Sequence, residues 1–197
     1  MIKGQLTKEK IIEQAAVLFN RHGYAGASMS ELMEVTGLKK GGIYNHFRSK
    51  EEILIKAFEH SVNIVRKKVQ AAIQDKQTSR EQLKGIIEFY RDYPMNPVVK
   101  GGCPILNSIV YADNTHTKFR ESVRKAVDEL IRVLAAIIGS GIRQGEFKKE
   151  IDPHKAAVVI FTAIEGGVAT SRNYEDNRYM EMMIDHLQAY VDKELCA

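Results

Sequence analysis

The chain has no tryptophan, two cysteines and four prolines among its 197 residues. Each scarcity excludes something. Cys103 and Cys196 lie too far apart for a paired-thiol redox or metal motif, and they supply no disulfide framework, so a reducing, cytoplasmic setting is expected. The six histidines (His22, His46, His60, His116, His154, His186) include no pair at i, i+4 and no neighbouring thiolate, so no metal site is expected. The longest near-apolar stretch, residues 156–164, is far short of the ~18 residues a membrane span requires, and no charged-then-apolar leader opens the chain. Membrane contact is therefore not expected. Catalytic sets are also missing: no Ser/His/Asp or Cys/His pairing, no carboxylate dyad, and no phosphate loop, since Gly41-Gly42 lacks the G-x-x-x-x-G-K-[ST] spacing. Neither an enzymatic activity nor a cofactor is expected.

What is present is a helix-rich composition and an uneven charge. Hydrophobic residues make up 44% of the chain, enough for a packed core and against disorder. The first fifty residues hold eight bases and four acids, while the remainder balances at 21 of each, so the whole net charge of +4 sits in the first quarter. A compact polyanion-binding head on a neutral body has this asymmetry; a solvated basic face has it too.

Apolar residues recur at helical spacing throughout. In residues 7–22, Ile11, Ile12, Ala15, Leu18 and Phe19 share one face, with Thr7 as cap and Gly23 as stop. The S-x-x-E box Ser28-Met29-Ser30-Glu31 opens a short second helix with Leu32, Met33 and Val35 turned inward, and Gly37 ends it. A third short helix, from Lys39 or Lys40 to Phe47, places Ile43 and Phe47 four apart, and a second box, Ser49-Lys50-Glu51-Glu52, launches a long fourth helix to about residue 75. Ser79 with Gln82 caps a fifth helix through 93, after which the Pro94, Pro97, Gly101, Gly102 cluster breaks the chain. A sixth helix follows Pro104 to about 113, and a seventh, 117–143, carries Val123, Val127, Leu130, Leu134 and Ile137 on one stripe. Asp152-Pro153 opens an eighth helix that is apolar on nearly all sides, and a ninth spans 176–194. With no strand-like alternation and no repeat, the fold class is all-α with about nine helices.

The second and third helices, joined through Gly37-Leu38, have helix-turn-helix spacing, a spacing shared with other helical hairpins. The third helix turns Lys39, Lys40, Gly41, Gly42, Tyr44, Asn45 and His46 away from the core side. Two adjacent glycines inside a helix cost about 1 kcal/mol each relative to alanine, so they call for a reason beyond helix formation. Close approach of backbone to the major groove of DNA is such a reason. Lys40 and Asn45 would then reach base edges, while Tyr44, His46, Lys50 and the capping Ser28 would fall near phosphates. Tyr44 and His46 can equally be packing residues beside Phe47.

The run from Gly37 to Glu51, GLKKGGIYNHFRSKE, resembles the signature of the TetR family of transcriptional regulators, and the likeness extends back through Phe19-Asn20-Arg21-His22-Gly23-Tyr24 and the Ser28 box. That resemblance implies that Tyr44 and His46 contact the DNA backbone and Lys50 a phosphate. Met33 and Gly42 depart from it: many members have Ala at the first position, and Ser or Thr often contacts DNA at the second. It further implies a helix-turn-helix domain (1–48), a helical effector-binding and dimerisation domain (49–197), and a homodimer formed by the last two helices. Repression of a palindromic operator, relieved by a small molecule of unknown identity, is the function it implies; an activator, or an architectural protein without a ligand, uses the same DNA-binding residues. The apolar eighth helix and its Gly166-Gly167 pair fit a dimer seam, and also fit a buried central helix of a monomer.

Beyond residue 55 the pattern thins. The segment Lys100-Gly101-Gly102-Cys103-Pro104 resembles a glycine-cysteine-proline element of some members, leading into the helix that lines their ligand cavity. Phe89, Tyr93, Cys103, Asn107, Tyr111, Phe161 and Glu165 are the candidate effector-binding residues: an apolar, aromatic lining with a few polar groups, or ordinary core. Cys103, at a helix start near Lys100, is either a reactive thiolate or a small buried hydrophobe.

Overall fold

The computed structural model describes residues 3–112 and 117–197, and the described chain is all-α with nine α-helices. They are α1 (Lys3–Gly26), α2 (Met29–Thr36), α3 (Lys40–Tyr44), α4 (Lys50–Ile73), α5 (Ser79–Phe89), α6 (Pro104–Ala112), α7 (Thr117–Gln144), α8 (Pro153–Tyr174) and α9 (Arg178–Tyr190), the last continued by a π-helical turn, Val191–Leu195. Among the described residues the only extended pairing is an isolated antiparallel bridge between Phe147 and Cys196.

Packing divides the chain into two compact units. The first takes the chain up to Val65 together with Val98–Lys125; the second takes Arg66–Pro97 and Ala126–Ala197. These bounds differ from a division at 48/49, because α6 and the start of α7 group with the helix-turn-helix.

In the first unit, Ile11 and Ala15 of α1, Leu32 of α2, Ile43 of α3 and Ile53 of α4 have no exposed surface. Phe47, just after α3, is almost fully covered, and burying a ring of this size contributes about 2 kcal/mol. Phe58 of α4 meets Phe119 of α7 edge-on with centroids 5.6 Å apart. Three expectations change here. Helix α1 begins at Lys3, so Thr7 lies inside it and is not its cap. Val35 is 40% exposed, and the inward position belongs to Thr36, whose hydroxyl is satisfied by donating to the Leu32 carbonyl at 2.7 Å. Helix α3 stops at Tyr44, before residue 47.

In the second unit, Leu83 and Ile87 of α5, Ile138 of α7, Ile160 and Val168 of α8, and Met180 and Ile184 of α9 form the core. The cap of α5 is Thr78, which exchanges two hydrogen bonds with Glu81, where Ser79 and Gln82 were expected. Ser79 instead presents its backbone N–H, with that of Arg80, to the Glu146 carboxylate at 3.2 and 2.8 Å. Helix α5 ends at Phe89, with Tyr90 and Tyr93 in the turns that follow. Asp152 caps α8 by accepting from the backbone N–H of His154 and Lys155, and Pro153 stands at its first position. On α7, Ala126, Leu134 and Ile138 are buried, while Val127, Leu130 and Ile137 are only half-buried. The expected end of α6 at residue 113 lies outside the described residues.

Candidate nucleic-acid interface

The geometry of the interface starts at the cap of α2. Ser28 Oγ accepts from the Glu31 N–H at 3.1 Å, and the Ser28 N–H donates to Glu31 Oε2 at 2.6 Å. The Ser28 backbone N–H first, and then the Ser28 side chain, hold the Glu31 carboxyl below the usual carboxylate range. The helix ends at Gly37, whose φ of 70° and ψ of 18° lie in the left-handed region, and the Gly37 N–H donates to the carbonyls of Met33 and Glu34. The chain thereby turns sharply into α3.

Helix α3 is held by one side. Ile43 is fully buried and Phe47 nearly so, which leaves Lys39, Lys40, Gly41, Tyr44 and Asn45 exposed on the other side. Gly42, His46 and Lys50 are half-buried. The expected DNA-binding set thus falls on α3 and the residues just after it, with Lys50 at the start of α4 and Ser28 at the head of the preceding helix. Neither glycine has a packing reason to lack a side chain: a Cβ at Gly41 would meet nothing within 4 Å, and one at Gly42 would make ordinary contact with Leu38 at 3.8 Å. His46 packs near the start of α1, since a Cβ on Gly4 would lie 3.8 Å from His46 Cε1.

Helix α4 begins directly beneath this run. Ser49 Oγ accepts from the Glu52 N–H at 3.1 Å, while Glu52 Oε2 accepts from the Arg48 N–H at 2.7 Å, so the box expected at Ser49 closes one residue earlier on its return bond. Partial burial pushes the Lys50 ammonium down from its usual range, opposed by the charge of Glu31. Two bases absent from the expected set also lie here: exposed Arg48, and Lys8, whose ammonium stands 5.4 Å from the Phe47 ring centroid. Arg48 was legible as a charge next to the run; the Lys8 contact spans too many residues to read from periodicity.

The candidate effector residues are distributed over both units. Cys103 is buried, and Asn107 and Tyr111 are half-buried, in the first unit; Tyr111 lies 6.1 Å from Phe119. Phe89, Tyr93, Phe161 and Glu165 belong to the second, where Phe89 and Tyr93 are 5.8 Å apart and the last three are buried. The second unit also has a groove of about 1100 Å³ lined by residues that include Lys76, Arg80, Lys84, Phe89 and Gln188, of which Phe89 alone was expected at a ligand site. Among the described residues no group of three or more His, Cys, Asp or Glu side chains is placed to hold a metal, and no helix is long and apolar enough to cross a membrane.

A short exposed helix, bearing bases and bare backbone and set on a buried apolar seam after a tight turn, defines a helix-turn-helix. Comparison with known proteins agrees. Residues 11–57 match the profile described as bacterial regulatory proteins, tetR family, and residues 79–187 match the tetracyclin repressor-like C-terminal domain. The chain therefore belongs to the TetR family of DNA-binding transcriptional regulators. A TetR transcriptional regulator from Chloroflexus aurantiacus J-10-FL superimposes with a TM-score of 0.95 at 36% identity, covering 100% of this chain and 99% of that one. A TetR-family regulator from Cytophaga hutchinsonii superimposes with a TM-score of 0.90 at 31% identity, covering 98% and 96%. The fatty acid metabolism regulator protein of Bacillus subtilis (strain 168) is 24% identical over 163 residues, 82% of this chain and 81% of that protein.

Proposed function

We propose that the protein is a repressor that binds a palindromic operator as a homodimer and is released when a small molecule occupies its C-terminal helical domain. The observation that carries the DNA contact is the Gly41-Gly42 pair. It weakens α3, fills no tight space and adopts no left-handed backbone, so its use lies outside the chain. In this reading the exposed tip of α3 seats in the major groove, Lys40 and Asn45 read base edges, and Ser28, Lys39, Tyr44, His46 and Lys50 hold phosphates.

Pairing of two copies uses α8 and α9. Gly167 is occupied inward, since a Cβ there would come within 2.6 Å of Met180 Sδ, whereas Gly166 faces open space. Val159, Tyr174 and Met182 are exposed on the same two helices, an apolar surface that a second copy would cover. Two copies place two recognition helices on one duplex, and half-sites would then be about one helical turn, ~34 Å, apart.

Selection of bound fragments from random duplex DNA by the full-length protein tests this reading. Enrichment of an inverted repeat supports it, and recovery of unordered sequence counts against it. Replacing Gly166 with Arg should shift the protein to monomers by sedimentation and abolish preference for the repeat over one half-site. Small molecules that raise the melting temperature should lower operator affinity; a stabilising ligand without that effect would contradict release by effector.

A further inference from the structure

We propose that Lys8 of α1 holds a DNA phosphate at the end of α3 opposite its tip, aimed by the ring of Phe47, an inference that rests on the reading of α3 as the DNA contact. Helix α1 starts at Lys3, and its first turns run past the residues that follow α3. A Cβ on Gly4 would lie 3.8 Å from His46 Cε1. Four residues on, and so on the same face of α1, the Lys8 ammonium stands 5.4 Å from the centroid of the Phe47 ring. Phe47 is 2% exposed, whereas Lys8 is only half-buried. A ring anchored in the core of the first unit therefore holds a cation that keeps its contact with solvent.

Nothing nearby neutralises that charge. Among the described residues Lys8 pairs with no carboxylate. The acid next to it in sequence, Glu9, accepts from Gln5 Nε2 at 2.8 Å, and Glu52 at the start of α4 accepts from the Arg48 backbone N–H at 2.7 Å. A ring face attracts an ammonium without taking a conventional hydrogen bond from it, so the three N–H donors stay available to an anion. It also restrains a four-carbon stem that would otherwise sample many rotamers, which prepares the cation for its contact. Exposed Arg48, next in sequence to Phe47, brings a second positive charge to this end. Lys39 and Lys40 stand at the other end, beyond the five residues of α3, a rise of about 7 Å. Cations that far apart cannot share one phosphate. Lys8 therefore adds one backbone contact per half-site, on the side away from the base-reading tip, and it contributes affinity and salt dependence without base choice.

The test compares the full-length wild type with three variants. Lys8→Met keeps an apolar stem on the ring and removes the charge; Lys8→Arg keeps both. Lys10→Gln removes an exposed charge two residues along α1, off this face. Each protein is titrated from about 50 to about 200 mM salt with a duplex carrying one half-site of the selected repeat and with a scrambled duplex. Lys8→Met should flatten the slope of log affinity against log salt by about one unit on both duplexes, so that the wild-type advantage shrinks about threefold across the range. Lys8→Arg should restore the slope, and the ratio of half-site to scrambled affinity should stay within about twofold throughout. Ethylation of single phosphates should block the wild type at one position outside the bases read by the tip, and Lys8→Met should be indifferent there. A Lys8→Met protein that loses affinity with an unchanged slope makes the lysine a packing residue and overturns the proposal. So does a Lys10→Gln protein that flattens the slope equally, since any nearby charge would then suffice. A wild type with no salt-dependent affinity for either duplex overturns the DNA-binding reading itself, whereas a wild type and a Lys8→Met protein that bind with the same salt response overturn the lysine contact alone.

Discussion

Ser28 and Glu31 exchange two hydrogen bonds at the head of α2, each side chain accepting from the other's backbone N–H at 3.1 and 2.6 Å. The pair orients the short helix against which α3 turns, so a local capping motif sets the attitude of the recognition element. Ser28→Ala should lower stability by about 1 kcal/mol, read by denaturant unfolding, and should also weaken binding to every duplex alike, since the serine and its amides lie at the proposed phosphate contact. A variant that loses stability but keeps wild-type affinity would remove Ser28 from the DNA-binding set.

Gly41→Ala separates stability from function. Beyond the helix's own neighbouring backbone nothing stands within 4 Å of a Cβ at this position, so alanine should raise stability by up to about 1 kcal/mol. The same methyl group would stand between α3 and the groove, and operator affinity should fall by about tenfold or more. Unchanged or improved affinity would show that the bare backbone is not pressed against DNA.

Asn45 and Lys50 occupy different places, the one exposed just after α3 and the other half-buried at the first residue of α4. Lys50→Ala should weaken binding to all sequences and reduce the slope of log affinity against log salt by about one unit, whereas Asn45→Ala should mainly relax base choice at one operator position. Affinities measured on the operator and on point-substituted operators over a salt series distinguish them. Identical behaviour of the two variants would contradict the division into base and phosphate contacts.

Asp192 ties the C-terminal turn to α5, with Lys84 Nζ on Oδ2 at 2.7 Å and Arg80 on Oδ1 at 2.8 Å. These bonds, Lys84 first, hold its carboxyl below the ordinary value of 3.8. A carboxyl lowered on folding stabilises the native state above its unfolded pKa, and that contribution disappears as pH falls through the folded one. Asp192→Asn should therefore melt a few degrees below wild type at neutral pH, a modest gap because the pair is partly exposed and screened, and the gap should close as pH falls below about 4. A gap that stays constant into acid would assign the loss to packing.

Much of the fold was readable because its signals are local. The Ser28 box, the Gly37 stop and the Asp152-Pro153 start each act within four residues, and α2 and α8 lie where those signals fall. The shift from Ser79 to Thr78 has a local cause as well: Thr78 has Glu81 three residues on, and a carboxylate returns a stronger hydrogen bond than the Gln82 amide facing Ser79. Val35 departs from its expected inward place because in this eight-residue helix the neighbouring Thr36 buries its hydroxyl on the Leu32 carbonyl and takes that place. The exposure of Lys39, Lys40, Gly41, Tyr44 and Asn45 followed from Ile43 and Phe47 alone, which fix the opposite side. The hydrogen bonds of Asn20 and Asn107 to each other and to the 100–102 carbonyls had no such signature, since the two residues are 87 apart and bind loop carbonyls that any sequence possesses. For the same reason the aromatic residues expected at an effector site could be named by type, while their distribution over two packing units could not.

The exposed face of α3, on a head that carries the chain's whole excess of positive charge, is proposed to grip duplex DNA. Titration of the full-length protein with its selected duplex across a salt series measures this directly. The expected result is a dissociation constant that rises steeply and linearly on logarithmic axes with salt, with non-specific duplex binding weaker throughout. Affinity that does not respond to salt, or that is equal for the selected duplex and for arbitrary DNA, would contradict it.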